Sequence, residues 1–539
     1  MAMDDDHVEE VGTMNSDGQT DAISFLMDPA THGVAGPVEA METHISRIFL
    51  VGKRAYKMKR AIRLPYADFS TPELRLATCR KEVELNAATA PELYLGARCL
   101  TRKADGTLEF DGAGDLVDAV VEMERFEQSA LFDRMAADGK LTPELMTETA
   151  REILRSHRVA PIVHSGSGAT NIEDVLDINR AGFATSQVFS APEVEALDAR
   201  FRSVLAEKTL LLDARENAGK IRRCHGDLHL RNICLLAGGP RLFDCIEFND
   251  QIATTDILYD LAFLLMDLWH RDLPELANLV TNRYLDEADD ESGFILLPFF
   301  MAIRAAVRAH VTATQAAEGD RADILATEAR SYFDLASNLL AERPVWLIAI
   351  GGLSGSGKTT IAEALAAHVG APPGARIVES DRVRKVMHGV TPETRLPETA
   401  YRPEVSHRVY REMAWRANLN LAAGGSVVAD AVFDRAIDRK RIEHIAESHR
   451  LPFQGIWLEA APDLLWRRVE RRKGGPSDAT IDVLEQQLQR DVGVTAWLRL
   501  NTARPPQDTV FDILGKVESR KQTAGKIETP ACAVVADET

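Results

Sequence analysis

The sequence predicts an α+β domain followed by an α/β domain built on a parallel sheet. Three observations predict it. A β-hairpin pattern near residue 50 precedes a long, mostly helical stretch. Beyond Pro344, apolar strand candidates alternate with helices. A glycine-rich octapeptide, Gly352 to Thr359, lies where the first of those strands meets the first of those helices. At about 100–200 residues per domain, 539 residues fit two or three domains. The net charge is −19, from 63 Lys and Arg against 82 Asp and Glu. Long nucleic acid and anionic membranes both want a positive surface, so neither is an expected partner. A small basic pocket for a phosphorylated small molecule remains compatible with that charge.

Residues 1–20, at the start of the chain, are polar and acidic and read as a disordered tail. No basic residue precedes Arg47 and no apolar run follows the start, so no secretory signal is expected. The cysteines (Cys79, Cys99, Cys224, Cys234, Cys245 and Cys532) form no CxxC pair, which suggests neither a disulfide scaffold nor structural zinc. Ile257–Trp269, the most apolar stretch, is interrupted by Asp260 and Asp267 and is too short to span a bilayer. A reduced, cytoplasmic protein is expected.

Ile48–Val51 and Arg54–Lys59 flank Gly52-Lys53 as a hairpin. Residues 71–88 are helical in pattern, and Thr142-Pro143 opens a further helix with proline at a favoured first position. Ile233–Leu236 and Arg241–Phe243 flank Gly238-Gly239 as a second hairpin, and Pro298–Ala316 is helical. Pro344 disfavours helix at Arg343, so the domain boundary is expected there: one domain at 21–343, a second at 344–516, and a flexible tail at 517–539. In the second domain, Val345–Ile350, Arg376–Val378, Ser426–Ala429 and Phe453–Leu458 read as strands. Lys358–Val369, Pro403–Ala423 and Pro462–Arg472 read as helices.

Gly352-Leu353-Ser354-Gly355-Ser356-Gly357-Lys358-Thr359 matches GxxxxGK[ST] in full, with a strand before it and a helix, beginning Thr360, after it. Glycines let backbone N–H groups close around phosphate oxygens, and the helix N-terminus adds a favourable field. Lys358 offers charge to the β/γ phosphates, and the Thr359 hydroxyl suits Mg²⁺. ATP and Mg²⁺ are therefore the expected cofactors, held by Gly352, Ser354, Gly355, Ser356, Gly357, Lys358, Thr359 and Thr360. Downstream, Ser380-Asp381-Arg382-Val383-Arg384 stands directly after the second strand candidate. Through these residues the domain resembles the small-molecule kinase branch of P-loop proteins: gluconate and shikimate kinases, polynucleotide kinase and zeta-toxin-like domains. The resemblance implies Asp381 as the base facing the acceptor hydroxyl and Arg384 as the substrate clamp. Asp430, at the end of the third strand, suits a Mg²⁺–water contact, with a helix-capping aspartate as the bland alternative. Leu465 to Arg472 resembles the lid helix of these kinases. Arg468 and Arg472 lie four apart, hence on one helix face, and could close over phosphates; a solvated basic face is the alternative.

His225-Gly226-Asp227-Leu228-His229-Leu230-Arg231-Asn232 resembles the HGDxxxxN catalytic loop of aminoglycoside phosphotransferases. The spacing suits an aspartate on the substrate hydroxyl (Asp227) and an asparagine on Mg²⁺ (Asn232). The alternation of His225, Asp227 and His229 leaves zinc as an alternative. The adjoining hairpin should end in the second magnesium ligand, Asp244, with Glu247 as its rival. Asp256 and Asp260 resemble the family's D-x-x-x-D-L-A helix start, where such residues cap the helix and hold the loop. The ATP-anchoring lysine should be Lys57, with Lys59 on the same strand face as rival. Its acidic partner should be Glu82, with Glu84 as rival. No GxGxxG loop precedes Lys57.

From about Ile23 to Lys516 the chain resembles the bacterial bifunctional aminoglycoside phosphotransferase/ATP-binding proteins, also through Asp28-Pro29-Ala30-Thr31-His32-Gly33 and Glu42-Thr43-His44-Ile45-Ser46. The resemblance implies a protein-kinase-like N-terminal domain, with a small antiparallel-sheet lobe and a helical lobe, joined to an α/β P-loop NTPase domain. It implies ATP- and Mg²⁺-dependent transfer to a hydroxyl of a small-molecule acceptor. Two other readings stand beside it. The N-terminal domain could be a ligand-binding regulator of a P-loop ATPase, or the acceptor could be a nucleotide sugar or polynucleotide.

Overall fold

The computed structural model describes residues 19–64, 67–164, 166–236, 238–316, 322–472 and 474–524. The expected acidic tail lies almost wholly outside the described residues, and Cys532 and the end of the expected C-terminal tail lie outside them too. The chain divides into two compact units, one from residues up to Asn171 with Leu212–Leu264, the other from Ile172–Leu211 with Leu265 onward.

The first unit holds a six-stranded antiparallel sheet. Its order is Glu39–Glu42, Ser46–Val51, Arg54–Lys59, Asp115–Glu124, Tyr94–Arg102 and Leu108–Phe110. Period-two alternation separates its faces. Phe49, Val51, Tyr56 and Met58 pack with Ala22 and Leu26 of the helix Thr20–Met27. Leu50 and Ala55 pack the other way, with Cys79 of the helix Pro72–Asn86. Lys57 and Lys59 share parity with Ala55, so the sheet's own pleat sends both ammonium groups toward that helix. The helix starts where it does because the Thr71 hydroxyl accepts from the Leu74 N–H and Pro72 fills the first turn. Thr142 caps Pro143–Val159 in the same way. The expected second hairpin forms, with its second strand at Gly239–Leu242 and Ile233 opposite Leu242.

The second unit holds a five-stranded, wholly parallel sheet in the order Arg376–Glu379, Val427–Asp430, Leu347–Gly352, Phe453–Glu459 and Leu498–Asn501. Every residue of the central strand Leu347–Gly352 is buried, as a parallel sheet covered on both faces requires. The fifth strand went unread in the sequence because Leu498–Asn501 alternates between intermediate and exposed positions at the sheet edge.

The structure corrects one expectation. The flexible tail does not begin at 517: the helix Pro506–Ala524 runs through it, with Val510, Ile513 and Val517 buried against the parallel sheet. The compact units group the chain differently from its sequence order. The helix Pro274–Ala288 lies in the same unit as the parallel sheet and is bound to it by polar groups. Asn278 donates to the carbonyls of Pro373 and Ala375, at 2.9 and 3.0 Å. Arg376, buried at the start of its strand, forms ion pairs with Asp286 and Glu291, each at 2.8 Å, and donates to the Asn282 amide oxygen at 2.9 Å. A proline marks where backbone geometry changes, whereas a compact unit is set by where buried groups find partners. Among the described residues, one helical span, Glu291–Ala316, is long and apolar enough to cross a membrane. Most of it is buried within the protein.

Candidate functional site

The phosphate loop joins the strand Leu347–Gly352 to the helix Lys358–Ala366. Two of its glycines are required by close approach. A Cβ at Gly352 would stand 2.6 Å from Ser356 Oγ and 2.7 Å from the Leu458 carbonyl. One at Gly355 would stand 2.7 Å from the Leu465 carbonyl. Both glycines also have φ in the left-handed region, at +145° and +81°. The loop is strapped from outside. The Ser354 N–H donates to Gln487 Oε1 at 2.8 Å, and Arg468 donates to the carbonyls of Gly355 (3.3 Å) and Thr502 (2.7 Å).

The loop opens on a cavity of about 190 Å³. Ser354, Gly355, Gly357, Lys358, Thr359 and Thr360 line it, with Glu379, Asp381, Asp430, Arg472 and the segment Gly474–Ser477 opposite. Thr359 Oγ1 lies 2.7 Å from Asp430 Oδ2 and 3.2 Å from Glu379 Oε1. Burial lifts the Asp430 carboxyl to about 6 and the Glu379 carboxyl to about 8, despite the opposing charges of Lys358 and Arg382 respectively. Burial likewise pulls the Lys358 ammonium down, against Asp430 and Asp381. Three carboxyl groups and a hydroxyl thus gather with too little positive charge beside them, a donor set of hard oxygens that fits Mg²⁺.

The sequence-derived residues fall into groups. Lys358, Thr359, Thr360, Asp381, Asp430 and Arg472 converge on the cavity, whereas Gly352 and Ser356 support the loop from beneath. Ser356 is fully buried, and its hydroxyl has no hydrogen-bond partner. Arg468 and Arg472 do not share a helix face, which corrects the sequence reading. The helix ends at Arg471, and Arg472 is extended (ψ 127°). Arg468 is spent on backbone carbonyls, so only Arg472 reaches the cavity, its Nη1 buried without a partner. Arg384 is not among the cavity's lining residues. It donates to the Ala400 carbonyl at 2.7 Å and lies over the Tyr401 ring, 4.7 Å from its centroid. Glu379 and Gln487 were missed. Glu379 left a signal: it ends its strand, as Asp430 does, and the two pair in register across the sheet. Gln487 left none, because a lone glutamine on a helix is ordinary.

The second cluster lies in the first unit. Lys57 pairs with Glu82 Oε1 at 2.8 Å and also with Asp244. Lys59 pairs with Glu82 Oε2 at 2.7 Å and with Glu247 at 2.5 Å. Burial opposes the Lys57 charge, yet Asp244 and Glu82 hold its ammonium well above the ordinary value. Glu82 is held down at about 2 against its burial by the two lysines. Lys57 and Asp244 reach the cluster's open side, where the Asp244 side chain is 39% exposed. The Lys59 side chain is wholly buried. Asp244 has φ +61°, and the Tyr94 hydroxyl accepts its N–H at 3.0 Å. Glu84 appears in no contact with this cluster.

The HGD loop approaches Asp244 through backbone. His225 Nε2 bonds the Phe243 carbonyl at 2.9 Å, and the Phe243 N–H donates to the Asn232 carbonyl at 3.0 Å. The Asn232 amide donates to Asp227 Oδ2 at 2.9 Å. Asp260 accepts the Gly226 N–H at 2.7 Å, and Asp256 pairs with Arg215 at 2.6 Å and caps Leu258. The zinc alternative is overturned by engaged nitrogens. His225 Nδ1 accepts from the Asp227 N–H, His229 Nδ1 accepts from the Arg231 N–H, and His229 Nε2 faces Asp227 at 3.3 Å.

Comparison with known proteins finds two family matches that follow each other in sequence order. Residues 70–293 match the phosphotransferase enzyme family, and residues 347–491 match an AAA domain. The chain therefore carries a phosphotransferase-family domain and a P-loop kinase-like domain. An uncharacterised protein of Mycobacterium tuberculosis is 27% identical over 504 residues, 92% of this chain and 97% of that one. The adenylyl-sulfate kinase of Myxococcus xanthus is 30% identical over 127 residues, 23% of this chain and 61% of its own. Among solved structures, a choline/ethanolamine kinase family protein from Mesorhizobium loti is 14% identical, covers 60% of this chain and 99% of its own, and has a TM-score of 0.37. A gluconokinase from Sinorhizobium meliloti is 20% identical, covers 35% and 100%, and has a TM-score of 0.25.

Proposed function

We propose that this protein is an ATP- and Mg²⁺-dependent phosphotransferase that acts on a hydroxyl of a small-molecule acceptor, with the P-loop domain as a catalytic centre. The observation that carries the reading is the convergence of Lys358, Thr359, Asp381, Asp430 and Arg472 on one cavity. Lys358 and the loop N–H groups bind and orient the phosphates. Thr359, Asp430 and Glu379 are the residues that would hold Mg²⁺, which supplies charge neutralisation when bound. Asp381 accepts the acceptor's proton, and Arg472 stabilises charge on the transferred group. The first unit acts as a second kinase site: Lys57 and Glu82 anchor phosphates, Asp244 and Asn232 hold magnesium, and Asp227 faces an acceptor. The partner in this reading is a small molecule, not a long nucleic acid or a membrane.

A second reading makes the first unit a ligand-binding regulator. It is favoured by the turn before the Lys57 strand, which is only Gly52-Lys53 and leaves no glycine-rich cover for phosphates. The deciding experiment screens a metabolite library for ATP-dependent phosphorylation by the full chain, then repeats the productive reaction with Asp381→Asn. Transfer should fall at least about 100-fold while Mg·ATP binding persists. Nucleotide affinity lost first would instead mark Asp381 as a magnesium-binding residue.

A further inference from the structure

Behind the pair Lys57–Asp244 stands a second pair, Lys59–Glu247, which the reaction as proposed does not use. Both pairs meet at one carboxylate. Glu82 Oε1 accepts a hydrogen bond from Lys57 at 2.8 Å, whereas its buried Oε2 has no hydrogen-bond partner and meets Lys59 as an ion pair at 2.7 Å; Lys59 continues to Glu247 at 2.5 Å. The side chains of Lys59, Glu82 and Glu247 are 0%, 0% and 3% exposed, so none of the three can meet nucleotide. The three come from a sheet strand, the helix Pro72–Asn86 and the segment that carries Asp244 three residues earlier. A carboxylate held at only one oxygen can rotate about its terminal torsion, which is broad and shallow. The Lys59 charge beside the second oxygen opposes that rotation. Two buried cations facing three carboxylates is also a costly arrangement to retain for stability alone, because an apolar replacement of a buried pair is often neutral or stabilising.

We propose that Lys59 and Glu247 are positioning residues: a buried ionic strut that fixes the Glu82 carboxylate, and through it the Lys57 ammonium, in the orientation that receives a nucleotide phosphate. The strut also ties the Asp244 segment to the strand, so lysine and metal-binding carboxylate are set by one network. The inference rests on the reading of the first unit as a nucleotide site, and its test separates the two.

The test uses the full chain with Lys358→Ala, which weakens the P-loop site, and calorimetry with the magnesium complex of a non-hydrolysable ATP analogue. Magnesium-dependent binding that is lost on adding Lys57→Ala reports the first unit. In that background, Lys59→Met leaves two buried carboxylates on one lysine and should lower the melting temperature. Lys59→Met with Glu247→Gln restores the native charge difference and should recover most of it. The strut predicts that the double variant still binds the analogue at least tenfold more weakly. Recovered melting with undiminished affinity would overturn the inference, because a merely structural pair would behave so. Lys59→Arg, which keeps the charge but not the ammonium's position, covers the case in which neither variant folds, and it should show the same tenfold loss. No Lys57-dependent binding in the parent would instead sink the nucleotide reading of this unit, and the strut with it.

Discussion

The two charged clusters differ in how their carboxylates are balanced. Around Glu82, two lysines face three carboxylates, and the central carboxyl is held down at about 2. Around Thr359, Lys358 is the lysine beside three carboxyls, and burial lifts two of them to about 6 and about 8. The first cluster is assembled before any ligand arrives. The second is short of positive charge and gains it when a cation binds. The contrast teaches that burial alone does not set a carboxyl's state: Glu82, with two lysines on it, is held down, whereas Glu247, with Lys59 beside it, is still pushed up by burial.

The largest expected effect concerns what surrounds the second cluster. Arg376→Met leaves Glu291 to Arg416 and Asn420, and Asp286 to the more distant Arg283 and Arg382, so the cost should lie at the low end of the about 3–5 kcal/mol for breaking a buried pair. Urea unfolding of the full chain should register a loss of that size, and a chain that starts at residue 344 should be similarly weak because it lacks both acids. A loss under about 1 kcal/mol would show that these ion pairs do not hold the helix Pro274–Ala288 to the parallel sheet.

Next comes Lys358→Ala. Removing the loop's charge from a preformed site should cost about 100-fold or more in P-loop ATP turnover, or about 3 kcal/mol, with the fold intact by circular dichroism. Unchanged turnover would refute the site. Smaller is Asp244→Ala in that same background, which should weaken magnesium-dependent nucleotide binding about tenfold, or about 1.4 kcal/mol. Asp227→Ala should leave that binding in place and remove transfer.

The subtlest effect is on pH dependence, where Glu379 and Glu82 have opposite sign. Glu379 has a raised pKa, so the folded state holds its proton longer than the unfolded chain does. Its contribution is fully present below the ordinary carboxylate range and is lost as pH rises through about 8. Glu82 has a depressed pKa, so its contribution is present above that range and is lost as pH falls through about 2. Melting temperatures without added metal should decline from pH 5 to pH 8, and Glu379→Gln should flatten that slope. A slope unchanged by the substitution would remove Glu379 as its source.

Much of the site was legible because backbone chemistry writes it locally. GxxxxGK[ST] is contiguous, since one loop must wrap one phosphate group. Asp381 and Asp430 were legible because each sits beside a strand end that its own neighbours define. Arg468 was misread because a four-residue spacing says which residues would share a helix face, but not where the helix stops. It ends at Arg471, and that turn sends Arg472 alone into the cavity. The choice between Lys57 and Lys59 was not legible at all, because two residues on one strand face are equivalent until something packs against them.

The sequence by itself determined the fold classes, the phosphate loop, the HGD loop and the order of their elements, because hydrophobic period and turn chemistry act over a few residues. Tertiary structure alone decided which lysine faces the open side, that Glu379 joins Asp430, that Gln487 straps the loop, and that Glu291 belongs with Arg376. Each of these depends on groups that lie far apart in the chain and meet only when it folds, where burial removes water and leaves only the partner that packing supplies.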